Sequence, residues 1–391
     1  MSASGTVLEN LVEIVGGGTP SKKVARYYDG DIPWVTPKDM KSWLITDAID
    51  HISEEAIANS AAKMIPAGAV LVVIRSGVLK HRLPVAVTER PVAINQDMKA
   101  LLCGDQVHPP YLARFLAASQ RVLLLGVRAT TADNLPLDLL KRLKVPLPPL
   151  PEQRRIAAIL DKADAVRRKR QQTLDLADQF LHSAFLDLFG DPVINPKGWP
   201  VKKLRGVSDL ITDGEHLTPK RTERGVKLLS ARNIKDGFVD LEEKVDHISP
   251  QEYERLRRRV DPTKGDLLIS CSGTIGRVAV LELDEGLALV RSVALVRLKS
   301  ADMIPQFGAF MLRTPYVQAH MRRGSKASSQ ANLFQGEIAK LPMLVPPLEV
   351  QEKFATLAAQ WRTCAEKHQL ALVAASTLLA SLTQSAFRGD L

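Results

Sequence analysis

Short acidic, glycine-rich and histidine-containing runs are where this chain could carry out chemistry, but none has the spacing that the chemistry needs. The run DLEEK, residues 240–244, could supply the carboxylates and lysine of a metal nuclease, although such runs are common in solvated loops. The glycines of GGGTPSK, residues 16–22, lack the G-x-x-x-x-G-K spacing that cradles phosphate. The eight histidines show no metal-ligand spacing such as H-E-x-x-H. We therefore expect no catalytic residues, no bound cofactor and no metal site.

The cysteines and one asparagine motif also fall short of a reactive site. Cys103, Cys271 and Cys364 are single and far apart, so they offer neither a disulfide framework nor a zinc site. We predict that they are buried as small hydrophobic residues. The segment NPKGWP, residues 195–200, differs from the Asn-Pro-Pro-aromatic motif with which amino-methyltransferases grip a flipped adenine.

The excess of positive charge points to an acidic partner. The chain has 53 Lys and Arg against 43 Asp and Glu, which gives a formal net charge of +10. Residues 1–146 carry 17 basic and 14 acidic side chains, and residues 191–344 carry 25 and 19. This pattern favours nucleic acid first and a membrane surface second. The run RRKR at residues 167–170 is interpreted as a solvated helix face, with DNA backbone contact as the alternative.

The sequence gives no sign of membrane insertion or export. The longest apolar run, AGAVLVVI at residues 67–74, is far shorter than the roughly 18 residues that a membrane-spanning helix needs. The first residues, MSASGTVLEN, lack a charged and then apolar leader. We therefore expect a cytoplasmic protein without a membrane partner.

A long internal repeat organises the chain. DHIS at residues 50–53 recurs at residues 246–249, an offset of 196. LPPLPEQ at residues 147–153 aligns with VPPLEVQ at residues 345–351, an offset of 198. A period this long predicts a duplicated domain and not a solenoid.

Each repeat predicts an α+β globular segment. Short apolar runs between glycine and proline turns, AVLVVIR at residues 69–75 and DLLISC at residues 266–271, predict strands. The offset of 196 places Ser76 opposite Ser272 just after these strands. Short helices are expected at residues 110–119 and 305–323.

A long helix is predicted after each globular segment. The double prolines in LPPLPEQ and VPPLEVQ cannot continue a strand ladder, and Glu152 and Glu349 would lie in the first helical turn, where negative charge is favourable. The helices are expected at about residues 150–189 and 349–387. At about 1.5 Å per residue each would be roughly 55 to 60 Å long.

Apolar rows along these helices predict a coiled coil. In the second helix every seventh residue from Phe354 forms one row, and every seventh residue from Leu357, including Cys364, forms another. The first helix has a weaker version that starts at Ile156 and Ile159. The fold class predicted is therefore α+β: two globular domains separated by two long antiparallel helices, related by a pseudo-twofold repeat.

Several stretches together resemble the specificity subunit of type I restriction-modification systems. They are LPPLPEQRRIAAILDKADAVRRKRQQ, the following FGDP, and VPPLEVQ, with GGGTPSKKVARYYDGDIPWV, LSARNIKDG and SGTIGRVAV resembling its target-recognition domains. The resemblance covers essentially the whole chain. It implies target-recognition domains at 1–146 and 200–344, spacer helices at 147–190 and 345–391, and a linker at 191–199.

The resemblance also implies the protein's partners. Such a subunit is not itself an enzyme: each recognition domain reads one half of a bipartite, asymmetric site on double-stranded DNA. The helices dock methyltransferase subunits, of which two are expected, and fix the spacer length. Restriction and translocase subunits complete the complex. S-adenosylmethionine, ATP and magnesium are then expected only on the partner subunits.

Base reading needs Arg or Lys for guanine and Asn or Gln for adenine, beside phosphate-binding hydroxyls and lysines. SGVLKHRLPVAV is three residues longer than its counterpart SGTIGRVAV, so the two loops cannot contact identical bases. Trp34 and Trp199 are expected to be core anchors. The candidate DNA contacts in the first domain are Thr19, Ser21, Lys22, Lys23, Arg75, Ser76, Lys80, His81, Arg82, Gln96 and Arg128. Those in the second domain are Thr212, His216, Thr218, Lys220, Arg221, Arg232, Asn233, Ser272, Thr274, Arg277, Ser325 and Lys326.

Two other functions remain open from the sequence. The chain could be a self-sufficient methyltransferase or nuclease with unrecognised motifs, in which case the purified protein would modify or cut DNA alone. It could also be a structural adaptor whose globular parts do not bind DNA, which a salt-dependent binding measurement would distinguish.

Overall fold

The computed structural model describes residues 5–129, 133–215, 217, 219–325 and 332–391, except for the side chains of Arg128 and Ala129. The chain forms two compact units. Unit 1 contains Met1–Gln172 and Gln369–Leu391, and unit 2 contains Thr173–His368. Each unit therefore holds one globular segment with parts of both long helices.

In the first half of the chain, the residues that the structure describes form thirteen strands and five α-helices. The strands are β1 (Thr6–Val7), β2 (Val12–Gly16), β3 (Ile32–Val35), β4 (Leu44–Ile45), β5 (His51–Ile52), β6 (Met64–Ile65), β7 (Val70–Val73), β8 (Val85–Thr88), β9 (Val92–Ile94), β10 (Met98–Cys103), β11 (Arg128–Ala129), β12 (Asp133–Asn134) and β13 (Lys144–Val145). The helices are α1 (Glu54–Ala58), α2 (Pro109–Ala118), α3 (Gln120–Leu125), α4 (Leu137–Lys141) and α5 (Leu150–Phe189).

The second half contributes ten strands and five α-helices within the described residues. The strands are β14 (Val201–Lys203), β15 (Ser208–Asp213), β16 (Arg221–Thr222), β17 (Val226–Leu229), β18 (Asp246–Ile248), β19 (Leu267–Ser270), β20 (Val278–Val280), β21 (Leu287–Leu289), β22 (Val293–Leu298) and β23 (Pro342–Leu344). The helices are α6 (Pro250–Arg257), α7 (Pro305–Arg313), α8 (Pro315–Ser325), α9 (Gln335–Ile338) and α10 (Leu348–Arg388).

The two globular segments share a four-strand order in the larger sheet and a three-strand order in the second sheet, which confirms the α+β class and the repeat, whereas the outermost strands differ. Unit 1 has a sheet in the order β2-β10-β7-β8-β4 and a second in the order β5-β3-β9-β6. Unit 2 has the orders β15-β22-β19-β20 and β16-β18-β17-β21. In each second sheet one pair is parallel, β3 with β9 and β17 with β21. The predicted strands β7 and β19 are buried along their whole length, because each pairs in the middle of its sheet.

The strand pairing corrects the repeat alignment by one residue. Arg75 forms an isolated antiparallel bridge with Asn134, and Ser272 forms the same bridge with Asn332. Arg75, and not Ser76, is therefore the counterpart of Ser272, at an offset of 197. The two apolar runs look alike at either offset, and only the hydrogen-bonding register distinguishes them.

The repeated DHIS segments have the same structural role. Each ends a strand and then supplies a helix N-cap, Ser53 for α1 and Ser249 for α6. The Ser53 hydroxyl accepts from the N–H of Ala56 at 3.3 Å, and the Ser249 hydroxyl accepts from the N–H of Glu252 at 3.2 Å. This is why serine recurs at the fourth position of the motif.

A buried glutamine explains the repeated double-proline motif. Gln153, in the first turn of α5, is fully buried and accepts from the His108 N–H at 2.8 Å. Its amide group donates to the carbonyls of Gln106 at 2.9 Å and Pro148 at 2.8 Å. The glutamine thus ties the start of the helix to the globular segment before it.

Gln351 makes the equivalent contacts in unit 2. It is fully buried, accepts from the Ile304 N–H at 2.9 Å, and donates to the carbonyls of Asp302 at 3.0 Å and Pro346 at 2.8 Å. Both predicted long helices are confirmed, since α5 and α10 begin and end within one or two residues of the expected bounds.

The heptad rows are confirmed only in part. In α10 the row from Phe354 is buried or half-buried throughout. The second row lies one residue later than predicted, at Ala358, Ala365, Leu372, Leu379 and Ala386, whereas Cys364 and Leu378 of the predicted row are exposed. On an α-helix, the residues three and four positions after a buried residue both lie next to it on the same face. Along most of α10 apolar residues occupy both of these positions.

The same shift occurs in α5. Leu160 and Leu181 are buried, whereas Val166 and Phe180, members of the predicted second row, are 53% and 60% exposed.

The prediction that all three cysteines are buried is wrong for Cys364, which is exposed. Cys271 is buried as predicted, and burial raises the pKa of its thiol to about 12.

Aromatic clusters join the ends of the long helices to the globular segments. In unit 2 the end of α5 places Phe185 against Phe310 and Phe354, with ring centroids 4.9 and 5.5 Å away. In unit 1 the end of α10 places Phe387 against Tyr111 and Phe115, at 5.5 and 5.3 Å. Within each unit the beginning of one helix and the end of the other share a core, so they run antiparallel there.

Among the described residues, α10 is long and apolar enough to cross a membrane by length and composition. The sequence prediction missed it because it counted uninterrupted apolar residues, whereas residues 369–387 mix apolar with uncharged polar side chains. Length and composition alone are weak evidence for a membrane span. Leu379 and Leu382, one from each of the two heptad rows of α10, pack on the core of unit 1.

Two other expectations can be compared with the structure. The helix predicted at residues 305–323 is two helices, α7 and α8, because Pro315 starts a new helix after the extended Thr314. Trp34 and Trp199 are core anchors as predicted, and their indole N–H groups donate to the carbonyls of Gly18 and Phe189, both at 3.0 Å.

Candidate nucleic-acid interface

Three loops meet at one end of the larger sheet in unit 1. The Gly18 N–H donates to the Ile94 carbonyl at 3.0 Å, and the Thr19 hydroxyl contacts the side-chain oxygen of Gln96. A side chain at Gly17 would collide with the Ile94 carbonyl, since its Cβ would lie 2.1 Å away. Glycine is therefore required for this close approach.

Polar side chains of the other loops extend this surface. Arg75 Nε donates to Asp97 Oδ1 at 2.6 Å, and the Ser76 N–H donates to the Asp133 carbonyl at 3.0 Å. Lys80 Nζ lies 3.8 Å from the Asp133 carboxylate. The structure thus brings together five of the eleven predicted contacts in this unit: Thr19, Arg75, Ser76, Lys80 and Gln96.

The remaining predicted contacts of unit 1 are less tightly grouped. Ser21, Lys22 and Lys23 are exposed on the loop that follows Thr19, and His81 is exposed beyond Lys80. Arg82 is also exposed, and its guanidinium donates to the Met40 carbonyl at 3.1 Å. The side chain of Arg128 lies outside the described residues.

A single turn connects the corresponding loops of unit 2. The Arg291 N–H donates to the Glu215 carbonyl at 2.9 Å, and the Ser292 hydroxyl accepts from the Ala231 N–H at 3.0 Å. The Ser292 carbonyl accepts from the Cys271 N–H at 2.8 Å. These bonds place the starts of three candidate loops around residues 290–292.

Two predicted arginines of unit 2 share one carboxylate. Arg221 Nε and Arg232 Nη2 lie 2.9 and 2.7 Å from Asp246 Oδ2. Lys220, which precedes them, is exposed, and Thr212 is half-buried at the end of β15. His216, Thr218 and Lys326 lie outside the described residues.

Two predicted contacts are buried, and for them the prediction is wrong. Asn233 is fully buried, and its side-chain oxygen accepts from the Ser230 N–H at 3.0 Å, so it caps a 3₁₀ turn. Ser325 is 6% exposed and donates to the Arg322 carbonyl at 3.0 Å. Both side chains satisfy their hydrogen bonds within the fold, which residue type alone could not reveal.

Thr274 and Arg277 face a cleft of about 630 Å³ in unit 2. Asp178, Asp236 and Trp361 line the same cleft. Ser272, at the base of this loop, is instead bridged to Asn332. Ser272 thus lies beside Asn332 at the start of the loop, and Thr274 and Arg277 continue the loop along the cleft.

The loops that differ in length also differ in conformation. Gly77–Lys80 forms a 3₁₀ helix in unit 1. In unit 2 the corresponding loop turns tightly at Gly273 and Gly276, which have φ of 69° and 87°, and the Gly276 N–H donates to the Ser270 carbonyl at 2.9 Å. This confirms that the two loops present different surfaces.

Sequence reasoning missed Arg291. It is exposed in the turn between β21 and β22, at the position that Gln96 occupies between β9 and β10. Extending the repeat alignment past the strands would have placed it opposite Gln96. Arginine there can donate to a guanine edge where Gln96 would suit adenine.

Two charged runs singled out in the sequence have structural roles. In DLEEK the Asp240 carboxylate accepts from the N–H groups of Glu242 and Glu243 at 3.2 and 3.0 Å, as expected of a loop. In the RRKR run Arg167 lies 2.9 Å from Asp164. Burial alone would raise the pKa of Asp164, but the hydrogen bond from Arg167 and the charge of Arg114 hold that pKa below its usual value.

These features define a duplicated α+β protein with a polar loop surface at one end of the sheet in each unit. The sequence profile of the type I restriction modification DNA specificity domain matches residues 7–175 and 196–360. Because these matches cover well over half of the chain, the chain belongs to this family.

Individual relatives are similar over different lengths. The type I restriction enzyme EcoR124I/EcoR124II specificity subunit of Escherichia coli is 38% identical over 154 residues, 39% of this chain and 38% of that protein. The MjaIX specificity subunit of Methanocaldococcus jannaschii is 28% identical over 220 residues, 50% of this chain and 49% of that protein. The chain thus matches about half or less of the length of these two curated relatives.

A solved structure shares the fold along nearly the whole chain. The S subunit of a type I restriction-modification system from M. genitalium matches with a TM-score of 0.61 at 13% identity. The match covers 98% of this chain and 95% of that one. The duplicated architecture is therefore that of a known S subunit.

Proposed function

We propose that this chain is the DNA sequence-specificity subunit of a type I restriction-modification complex, in which each globular domain reads one half of a bipartite site. The observation that carries the proposal is the repeated loop surface at the end of each larger sheet, built on the same hydrogen bonds but with different side chains. Gln96 in one turn and Arg291 in the other are the clearest example. Two such surfaces with different chemistry would read an asymmetric site.

The long helices supply the second part of the proposal, which is docking of methyltransferase subunits. Leu176 and Phe180 of α5 are 56% and 60% exposed and lie one turn apart on one face. Leu370 and Val373 of α10 are 72% and 54% exposed and also share a face. Exposed apolar pairs of this kind favour a protein partner over water. Helices of constant length would then fix the spacing between the half-sites.

The chemistry would belong to the partners. We infer that the chain itself is not catalytic, and that S-adenosylmethionine, ATP and magnesium bind to methyltransferase and restriction subunits. The complex would act on chromosomal DNA in the cytoplasm, and the apolar surface of α10 would face protein and not lipid.

Methylation mapping tests the proposal. The chain would be expressed with an adenine methyltransferase subunit of a type I system, and methylated adenines in the host genome would be mapped. We expect one bipartite motif that disappears when this chain is absent. Methylation or cleavage of DNA by the purified chain alone, supplied with S-adenosylmethionine and magnesium, would instead support a self-sufficient enzyme.

Two substitutions should separate phosphate binding from base reading. Lys22→Ala should weaken binding to all duplexes alike and lower the slope of log affinity against log salt by about 1. Arg277→Ala should cost about 1 to 3 kcal/mol and relax the sequence preference at one position. Titration of labelled duplexes at several salt concentrations, with selection from a randomised duplex library, measures both. An unchanged preference in Arg277→Ala would exclude that residue as a base reader.

A charge on the exposed helix face should disrupt docking. Leu370→Asp should reduce the affinity for the methyltransferase subunit at least about 30-fold, because it puts a charge into an apolar contact. Gln369→Asp is the matched control, since the neighbouring exposed residue gains the same charge on another face. Calorimetric titration with the purified methyltransferase compares the two. Equal loss in both variants would contradict the assignment of this face.

A further inference from the structure

Two carboxylates flank the loop that follows β15 in unit 2. The side chains of Asp213 and Glu215 are 26% and 11% exposed. The Glu215 N–H donates to the Leu289 carbonyl, and its own carbonyl accepts from the Arg291 N–H, both at 2.9 Å. Glu215 Oε1 also accepts from the N–H of Leu217 at 3.0 Å. Glu215 therefore joins the end of β15 to the turn between β21 and β22 that contains Arg291.

Two arginines at the end of α6 neutralise these carboxylates. Arg255 Nη1 lies 3.4 Å from Glu215 Oε2, and Arg259 Nη2 lies 3.2 Å from Asp213 Oδ1. Arg255 also donates to both carboxylate oxygens of Glu252, at 3.1 and 2.8 Å, so it bridges α6 and Glu215. The two arginines are 47% and 44% exposed, so solvent screens each pair and the pairs add little to stability. Their main effect is on the position and the charge of the loop.

The first unit has neither carboxylate. Gly18 and Glu215 make the same backbone hydrogen bond to the neighbouring turn, at 3.0 and 2.9 Å. Gly16 and Asp213 are the last paired residues of the matching strands β2 and β15. Glycines in unit 1 therefore stand where unit 2 has negative charges.

The first unit also lacks the two arginines. Counted from the N-cap serines of α1 and α6, the counterpart of Arg255 is Asn59 and that of Arg259 is Lys63. The carboxylates and the guanidinium groups thus occur together in one half of the chain and are absent together from the other. This joint difference indicates that the two carboxylates and the two guanidinium groups function together.

We propose that Arg255 and Arg259 are positioning residues for DNA reading by the second domain. They hold Glu215 and Asp213 in place beside the turn that contains Arg291, and they offset two negative charges that would repel DNA phosphates. The inference rests on the proposed function and extends it, because Arg255 and Arg259 should affect only the half-site that the second domain reads.

The test uses the full-length chain and a randomised duplex DNA library. Arg255→Gln should lower affinity for the selected duplex at least about fivefold and relax only one half of the selected site. Arg255→Lys should retain most of the affinity because it keeps the charge. Adding Glu215→Gln to Arg255→Gln should restore affinity, since the uncompensated carboxylate is then gone.

Arg257→Gln is the matched control. Arg257 is on the same helix and similarly exposed, but it pairs with Glu254 and Asp261 and not with the loop. We expect wild-type affinity and sequence preference in this variant. If Arg255→Gln behaves like Arg257→Gln while the wild type still selects a bipartite site, the inference is overturned and the proposed function stands. If the wild type selects no sequence, both are overturned.

Discussion

Phe185→Ala is expected to lower the free energy of unfolding by about 3 to 5 kcal/mol. The ring is fully buried, and the centroids of Phe189 and Phe310 both lie 4.9 Å from its own. Removing it would leave a cavity where α5 ends against α7, in addition to the lost transfer free energy. Urea unfolding of the full-length chain, followed by circular dichroism, measures the change.

Phe180→Ala provides the control on the same helix. Its ring is 60% exposed, so the same truncation should change the free energy of unfolding by no more than about 0.5 kcal/mol. Similar losses in the two variants would mean that the aromatic cluster of unit 2 does not stabilise the fold as described.

Gln153→Leu should be the next most damaging change, with a loss of about 3 kcal/mol. Leucine has a similar size but would leave the His108 N–H and the carbonyls of Gln106 and Pro148 without their partners. Gln351→Leu should cost about as much, because Gln351 makes the same three contacts in unit 2. Urea unfolding again gives the free energy.

Gln172→Leu is the control for the glutamine substitutions. Gln172 is exposed on α5, so leucine there should leave the free energy of unfolding within about 0.5 kcal/mol of the wild type. A stable Gln153→Leu variant would show that the glutamine does not anchor the helix.

The sequence predicted the fold well where the signal was periodic or repeated. The double prolines and the heptad rows gave both long helices nearly to the residue, and the repeat gave the duplicated sheets. The second heptad row was misplaced because Ile159 and Leu160, and Leu378 and Leu379, are apolar neighbours. Only the packing at the helix ends decides which of each pair faces inward.

The candidate interface was harder to predict. Residue type and loop position selected Thr19, Gln96 and Arg75, which the structure brings together. The same criteria selected Asn233, which is a buried cap, and missed Arg291, which lies in the centre of the corresponding surface. Burial and hydrogen-bond satisfaction depend on tertiary contacts, which the type and spacing of single residues do not encode.

The interleaving of the two units has a consequence for synthesis on the ribosome. Unit 2 is contiguous in sequence, whereas the core of unit 1 includes Leu379, Ala386 and Phe387. At about 5 to 20 residues per second, those side chains emerge roughly 10 to 40 seconds after the end of α5. Throughout that interval Tyr111 and Phe115 lack Phe387, the side chain of α10 that packs against both of them in the folded chain.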